Sequence, residues 1–122
     1  VEAAPITYGD IKSSGNNESS REIRARVEQA RKIQRERFAG ENVRCNGEMS
    51  GRHIRKFCGL GREEEKFMEE IFEKLALSAR MHDRILKVAR TTADLAEEEK
   101  IRLADLCEAV SYVKSRDKFW GN

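Results

Sequence analysis

The 122-residue chain lacks the sequence patterns of the commonest nucleotide-hydrolysing and nucleophilic sites. No glycine is followed by a lysine, as a phosphate-binding loop requires, and no apolar strand ends in paired acids that could hold magnesium. The chain has two histidines, and no Gly-x-Ser-x-Gly segment exposes a serine nucleophile. We therefore predict that the isolated chain does not split a nucleotide by that mechanism and is not an enzyme on its own.

Long apolar segments are also missing. No run of 18 apolar residues is present, as a membrane-spanning helix would need, and residues 1–5 lack the basic and apolar regions of a signal peptide. The three cysteines cannot all pair within one chain, so a reducing cytoplasm is the expected compartment. The first residue is not methionine, which we interpret as the sign of a piece of a longer protein.

A metal site has little support. Cys45, His53 and Cys58 follow the spacing C-x7-H-x4-C, and no fourth ligand is evident. Structural zinc sites use four ligands and short cysteine hooks. We therefore expect no metal, and we interpret the cysteines as small apolar residues.

The remaining pattern is helical. Hydrophobic residues make up 39% of the chain and charged residues 38%, and the apolar residues recur at helical spacing. This predicts an all-α fold, a small bundle of about five helices over residues 19–122. A short extended or disordered leading segment is expected over residues 1–18.

Cap signals mark the predicted helix starts. Ser19 and Glu22 form a capping box, and Ser50 and Ser78 can cap the second and fourth helices. The third helix follows Gly61, and the fifth is predicted near 103–115. We expect Arg90 and Asp94 to pair on the surface of the fourth helix. The predicted buried stripes are Ile23, Val27, Ala30, Ile33 and Phe38; Phe67, Met68, Ile71, Phe72 and Leu75; Met81, Ile85, Val88, Ala89, Thr92 and Leu95; and Leu103, Leu106, Val110 and Val113.

Charge is unevenly distributed although the net charge is only +2. Residues 21–37 contain seven basic and three acidic residues, whereas residues 63–73 contain six glutamates and one lysine. An autonomous DNA-binding module is therefore an alternative function, with phosphate contacts from the first helix. Against it, no helix-turn-helix pattern is evident, and the basic residues lie around several faces: Arg21, Arg24, Arg26, Arg31, Lys32, Arg35 and Arg37.

One long segment resembles a known family. Residues 77–95 read LSARMHDRILKVARTTADL, which is similar to the signature LSAR…RILKVARTIADL of the C-terminal domain of magnesium-chelatase-like AAA+ ATPases. Residues 19–38 and 101–112 resemble the first and last helices of that domain. The likeness is greatest to the competence-protein branch of the family, the ComM/YifB proteins. Two positions depart from the pattern: Val113 replaces a common arginine, and Thr92 a common isoleucine.

The resemblance implies the helical lid of an AAA+ ATPase whose nucleotide core lies upstream. It implies ATP and Mg²⁺ in the parent protein and neither in the isolated domain. By the same likeness, Ser78 and Arg80 belong to the sensor-2 element, and Arg80 is the arginine that reaches the ATP γ-phosphate, in its own or a neighbouring subunit. Arg84 lies one helical turn further on and is a candidate to assist it. The implied partners are the upstream core and the neighbouring subunits of a hexameric ring. DNA is a further implied partner, through DNA uptake in competence and transformation, and a membrane is not one.

Arg80 is also unusual on physical grounds. It falls in the first turn of a helix capped by Ser78, where a cation opposes the helix dipole at a cost of about 0.3–1 kcal/mol. A bound phosphate would reverse that penalty, because free amides and a planar guanidinium together bind anions well. Two alternatives remain open from the residues alone. Arg80 and Arg84 can be solvated surface charges, or the domain can be a scaffold that only mediates assembly.

Overall fold

A computed structural model describes residues 19–116, which form five α-helices and one 3₁₀ turn and no strand. The all-helical prediction is therefore confirmed. The leading segment predicted over residues 1–18, and with it the domain boundary at 18, lies outside the described residues. The elements, in chain order, are α1 (Ser20–Arg37), the 3₁₀ turn (Asn46–Glu48), α2 (Gly51–Phe57), α3 (Arg62–Lys74), α4 (Ala79–Leu95) and α5 (Leu103–Arg116).

The predicted caps begin three of these helices. The Ser19 hydroxyl accepts the Glu22 amide at 3.1 Å, and the Glu22 carboxylate accepts the Ser19 amide at 2.8 Å, so the capping box is complete. The Ser78 hydroxyl accepts the amide of Met81 at 3.1 Å. At α2 the amide of Ser50 donates to Nδ1 of His53 at 3.0 Å, so a histidine takes the place that glutamate holds in α1.

Helix α4 is the centre of the bundle, and it packs against α5, α1, the 3₁₀ turn and α2. Small residues let α4 and α5 approach closely, because Ala89 and Ala93 on α4 and Ala109 on α5 are fully buried. Large side chains fill the space around them. The buried apolar core contains Phe38, Met49, Ile54, Cys58, Met68, Leu77, Ile85, Leu86, Ile101, Leu106 and Val113.

Three residues predicted to be buried are exposed instead: Ile23, Phe72 and Leu95. Ile23 is 43% exposed because α1 packs on the bundle only through its C-terminal half, where Ala30 and the flanking Phe38 are buried. Helical periodicity identifies an apolar face but does not show whether another element covers it. The prediction was therefore wrong at these three apolar positions.

The pair predicted on the surface of α4 is internal. Arg90 and Asp94 are only 4% and 1% exposed, with Nη2 of Arg90 3.2 Å from Oδ1 of Asp94. Arg90 also donates to the backbone carbonyls of Glu98 and Glu99, at 2.8 and 3.0 Å, and so holds the turn that follows α4. A buried charge requires such partners, since desolvation would otherwise cost several kcal/mol.

Arg37 belongs to the same buried network and not to the basic surface of α1. Its guanidinium donates to both carboxylate oxygens of Asp94, at 2.6 and 2.8 Å, and to Oδ1 of Asn46 at 2.9 Å. Nδ2 of Asn46 in turn donates to Asp94 at 2.9 Å and to the hydroxyl of Thr91 at 3.0 Å. This network fastens the end of α1 and the 3₁₀ turn to α4, and so fixes the position of Gly47.

The three residues considered for a metal site do not converge. Cys58 packs in the core, Cys45 is exposed, and Nδ1 of His53 lies within hydrogen-bond distance of Ser50. Over residues 19–116, no three acidic, cysteine or histidine side chains are grouped as metal ligands. None of the five helices has the length and apolar character needed to cross a bilayer.

Candidate functional site

A tight reversal positions the start of α4. Helix α3 ends in a Schellman motif, in which the amide of Leu77 donates to Phe72 O at 3.0 Å and that of Ala76 to Glu73 O at 3.3 Å. Ala76 has a φ of 50°, in the left-handed region where glycine is usual. Leu77 is then buried, and Ser78 follows at once as the cap of α4. The chain therefore turns into α4 within four residues.

Arg80 and Arg84 lie one helical turn apart on the outward face of α4. Both are exposed, and within residues 19–116 neither guanidinium has a hydrogen bond or an ion pair. Arg80 is in the first turn, beside the free amides of the helix start. The Ser78 hydroxyl is engaged with the Met81 amide, so its observed contact is the helix cap. Arg80 therefore stands where the helix dipole is least favourable to a cation, and Arg84 lies one turn beyond it.

These arginines line an open groove of about 910 Å³. A third cation, Lys87, lies one further turn along α4 and donates from Nζ to the carbonyl of Gly47 at 3.3 Å. The positions 80, 84 and 87 follow the i, i+4, i+7 spacing of one helix face. We call this surface the basic groove; it is lined by Gly47, Arg80, Met81, Asp83, Arg84, Lys87, Val88 and Tyr112.

The basic groove continues into an apolar hollow of about 350 Å³, which shares Gly47, Lys87, Val88 and Tyr112 with it. Leu95 lies in this hollow, and Tyr112 on α5 is 49% exposed. One end of the surface is therefore cationic and the other apolar. Lys87, Gly47 and Tyr112 were not predicted as site residues from the sequence. The spacing of the three cations was visible in the sequence, whereas the other two residues come from elements distant in the chain.

The electrostatics of the basic groove favour an anion. Its lining contains three cations and one acid, Asp83. Oδ1 of Asp83 lies 3.3 Å from Nδ1 of His82. The ring of His82 packs edge-on against Phe72, with 5.8 Å between centroids, so His82 belongs to the α3 side of the helix. Closely spaced guanidinium groups bind phosphate oxygens through paired hydrogen bonds. The geometry therefore suits a phosphate or carboxylate ligand.

Comparison with known proteins gives a consistent result. The family model described as "Magnesium chelatase, subunit ChlI C-terminal" matches residues 17–113. The competence protein ComM of Haemophilus influenzae is 36% identical over 113 residues, which are 92% of this chain and 21% of that protein. The uncharacterized YifB proteins of Salmonella typhimurium and Escherichia coli are 36% and 40% identical, over 81% and 78% of this chain. The chain thus spans about a fifth of the length of these relatives.

Proposed function

This chain belongs to the family of the magnesium chelatase subunit ChlI C-terminal domain, and from that premise we propose that it is the lid of an AAA+ ATPase that senses nucleotide phosphate through Arg80. The observation that carries the proposal is the placement of Arg80 itself. It is exposed, unpaired within residues 19–116, and located at the cationic end of a groove. An arginine committed to an internal ion pair would be unable to reach a phosphate held by another domain.

The free energy of Arg80 differs between two states, one without and one with a bound anion. Without an anion, the guanidinium of Arg80 opposes the dipole of α4. With a phosphate between Arg80 and the first-turn amides, both groups contribute to binding. Contact with a γ-phosphate exists before hydrolysis and is lost after it, so hydrolysis changes the preferred position of the lid. Arg84, one turn away, does not need to touch the phosphate, and its charge adds to the positive potential that attracts the anion to Arg80.

The rest of the site belongs to the parent protein. The ATP and Mg²⁺ are held by an AAA+ core upstream in the chain, and the 122 residues supply the sensing arginine and a contact surface. The phosphate is that of the same subunit or of its neighbour in a ring oligomer, and a hexamer is the expected assembly. One relative is named a competence protein, which supports a motor that acts on DNA. We propose a cytoplasmic location for it.

The test is ATP hydrolysis by the full-length protein with Arg80 replaced. For Arg80→Ala we expect a decrease in kcat of about 10²–10³-fold, as for removal of other groups that stabilise transition-state charge. Arg80→Lys should restore only part of the rate, because lysine lacks the planar fork. The control is Arg35→Ala, an exposed arginine of α1. An Arg80→Ala protein with unchanged kcat and KM would instead favour the scaffold interpretation.

The isolated chain supplies a second test. We expect it to fold and to show no ATP turnover. Turnover by the pure chain, abolished by Arg80→Ala, would contradict the lid assignment. A low-salt anisotropy titration with duplex DNA tests the alternative of an autonomous DNA-binding module, whose affinity should fall steeply with salt. The internal position of Arg37 weakens that alternative, since one of the seven basic residues of α1 is already paired with Asp94.

A further inference from the structure

The molecule has a second charged face, opposite in sign to the basic groove. Glu65, Glu69 and Glu73 follow each other at i, i+4, i+8 on α3, and all three are exposed. Within residues 19–116 none of these carboxylates has a hydrogen bond or an ion pair. They adjoin Phe72, which is 40% exposed, at a hollow of about 410 Å³. We call this surface the acidic face; it is lined by Glu65, Met68, Glu69, Phe72, Glu73, Ala79 and His82.

The acidic face and the basic groove match in spacing as well as in charge. At about 1.5 Å per residue, Glu69 and Glu73 are about 6 Å apart along α3, and Arg84 and Lys87 are about 4.5 Å apart along α4. Each surface also has an exposed apolar part. Phe72 lies among the carboxylates, and Leu95 and Tyr112 lie beyond the cations. The two surfaces are therefore complementary in charge, spacing and apolar content.

The acidic face and the basic groove of one molecule cannot contact each other. Successive residues of an α-helix are separated by about 100° around its axis. Ala79 and His82 of α4 adjoin the acidic face, whereas Arg80 and Arg84 line the basic groove, so α4 separates the two. Only a second molecule can bring a basic groove against an acidic face.

We propose that the acidic face of one copy of this chain binds in the basic groove of the next, as a head-to-tail contact. Arg84 and Lys87 take the carboxylates, Phe72 packs toward Leu95 and Tyr112, and Arg80 stays available at the end of the groove. A contact between two different patches repeats from copy to copy, and it closes into a ring when the rotation permits. The contact does not depend on nucleotide sensing by Arg80.

The experiment is sedimentation velocity of the 122-residue chain over a concentration series to about 1 mM, which is sensitive to weak association. At low ionic strength the weight-average sedimentation coefficient should rise with concentration, and at about 1 M salt the rise should diminish because surface charges are screened. Two charge-reversed variants follow. The groove variant is Arg84→Glu with Lys87→Glu, and the face variant is Glu69→Lys with Glu73→Lys. Each alone should associate at least about tenfold more weakly than the unaltered chain.

An equimolar mixture of the two variants gives the decisive result. The groove variant has two acidic surfaces and the face variant two basic ones, so unlike molecules should bind although like molecules repel. A mixture that remains monomeric, or an unaltered chain that is monomeric throughout, would overturn the proposal. Circular dichroism verifies that both variants are folded.

Two controls separate this contact from its alternatives. Arg24→Glu with Lys32→Glu, on the exposed part of α1, changes the net charge as much as the groove variant does and should leave association unchanged. Equal weakening by this control would mean that net charge alone drives association, and the proposal would fail. Arg80→Ala should also associate normally. Loss of ATPase activity and loss of association can thus be observed independently of each other.

Discussion

The guanidinium of Arg37 and the carboxylate of Asp94 form a two-pronged ion pair, at 2.6 and 2.8 Å, between residues 57 positions apart in the chain. Asp94 also contacts Arg90 and Asn46, so one carboxylate serves the end of α1, the 3₁₀ turn and α4. Removal of such a carboxylate leaves buried cations without a counter-charge.

We therefore expect Asp94→Ala to lower the free energy of unfolding by about 3–5 kcal/mol, the range for breaking a buried pair from one side. Urea denaturation at neutral pH measures the loss. Asp83→Ala is the matched control, because it removes an acid from the same helix at a partly exposed position and should cost less than about 1 kcal/mol. Equal losses for the two variants would show that the buried network contributes little.

The left-handed residues at the ends of α3 and α4 predict a stabilising substitution. Ala76 and Glu97 have φ values of 50° and 58°, and each occupies the glycine position of a Schellman motif. A side chain in the left-handed region destabilises the folded state by roughly 1–2 kcal/mol. Glycine removes this cost, but part of the gain is lost because glycine also raises the conformational entropy of the unfolded chain. We expect Ala76→Gly and Glu97→Gly each to raise the free energy of unfolding by about 0.5–1 kcal/mol.

Thermal denaturation of these glycine variants checks the prediction against Ala25→Gly. Ala25 is an exposed residue in the interior of α1, where glycine should destabilise by about 0.5–1 kcal/mol. Opposite signs at the two kinds of position are the expected outcome, and destabilisation at all three would contradict the backbone argument.

The reactivity of the three cysteines should show whether the core around Cys58 is closed to solvent. Burial raises the pKa of the Cys58 thiol to about 11, so almost none of it is thiolate at pH 8. Cys45 and Cys107 are exposed. With an aromatic disulfide reagent at pH 8, we expect two thiols to react rapidly and the third only after denaturation. Replacement of Cys58 by serine should abolish the slow phase alone. Three equally fast thiols would mean that the packing around Cys58 opens readily.

The contacts of Glu41 predict how the free energy of unfolding depends on pH. A hydrogen bond from Lys56, at 2.8 Å, and a further bond from Arg52 lower the pKa of the Glu41 carboxyl from its usual value. A group with a lowered folded-state pKa stabilises the fold above its unfolded pKa, and the contribution disappears as the pH falls through the folded value. Glu41→Gln should therefore be less stable than the unaltered chain at pH 7, and the difference should vanish at strongly acidic pH.

Chemical denaturation of both proteins between pH 2 and pH 7 measures that difference. Lys56→Met should remove most of the pH-dependent part, since Lys56 is the main cause of the shift. A deficit in Glu41→Gln that persists unchanged at the lowest pH would show that the loss arises from packing and not from charge.

The local features of this fold were predictable from the sequence. The capping box of Ser19 and Glu22 and the cap at Ser78 join residues three positions apart, so the sequence alone contains both partners. The ends of α3 and α4 are also local, yet they were not predicted as Schellman motifs, because Ala76 and Glu97 stand where the pattern leads one to expect glycine. The positions of Arg80 and Arg84 on one face of α4 follow from their spacing.

The sequence by itself determined the helices, their starts and the cationic face of α4, since each depends on residues within about two helical turns. Only the tertiary structure decided which charges are internal. Arg37, Arg90 and Asp94 look like surface residues in the chain. Arg90 and Asp94 are buried and the side chain of Arg37 is only 12% exposed, because three elements converge on one carboxylate. Packing likewise turned the face of Arg80 into a groove, because Gly47 and Tyr112 reach it from elsewhere in the chain. Burial depends on contacts between distant residues, which periodicity along one helix does not contain.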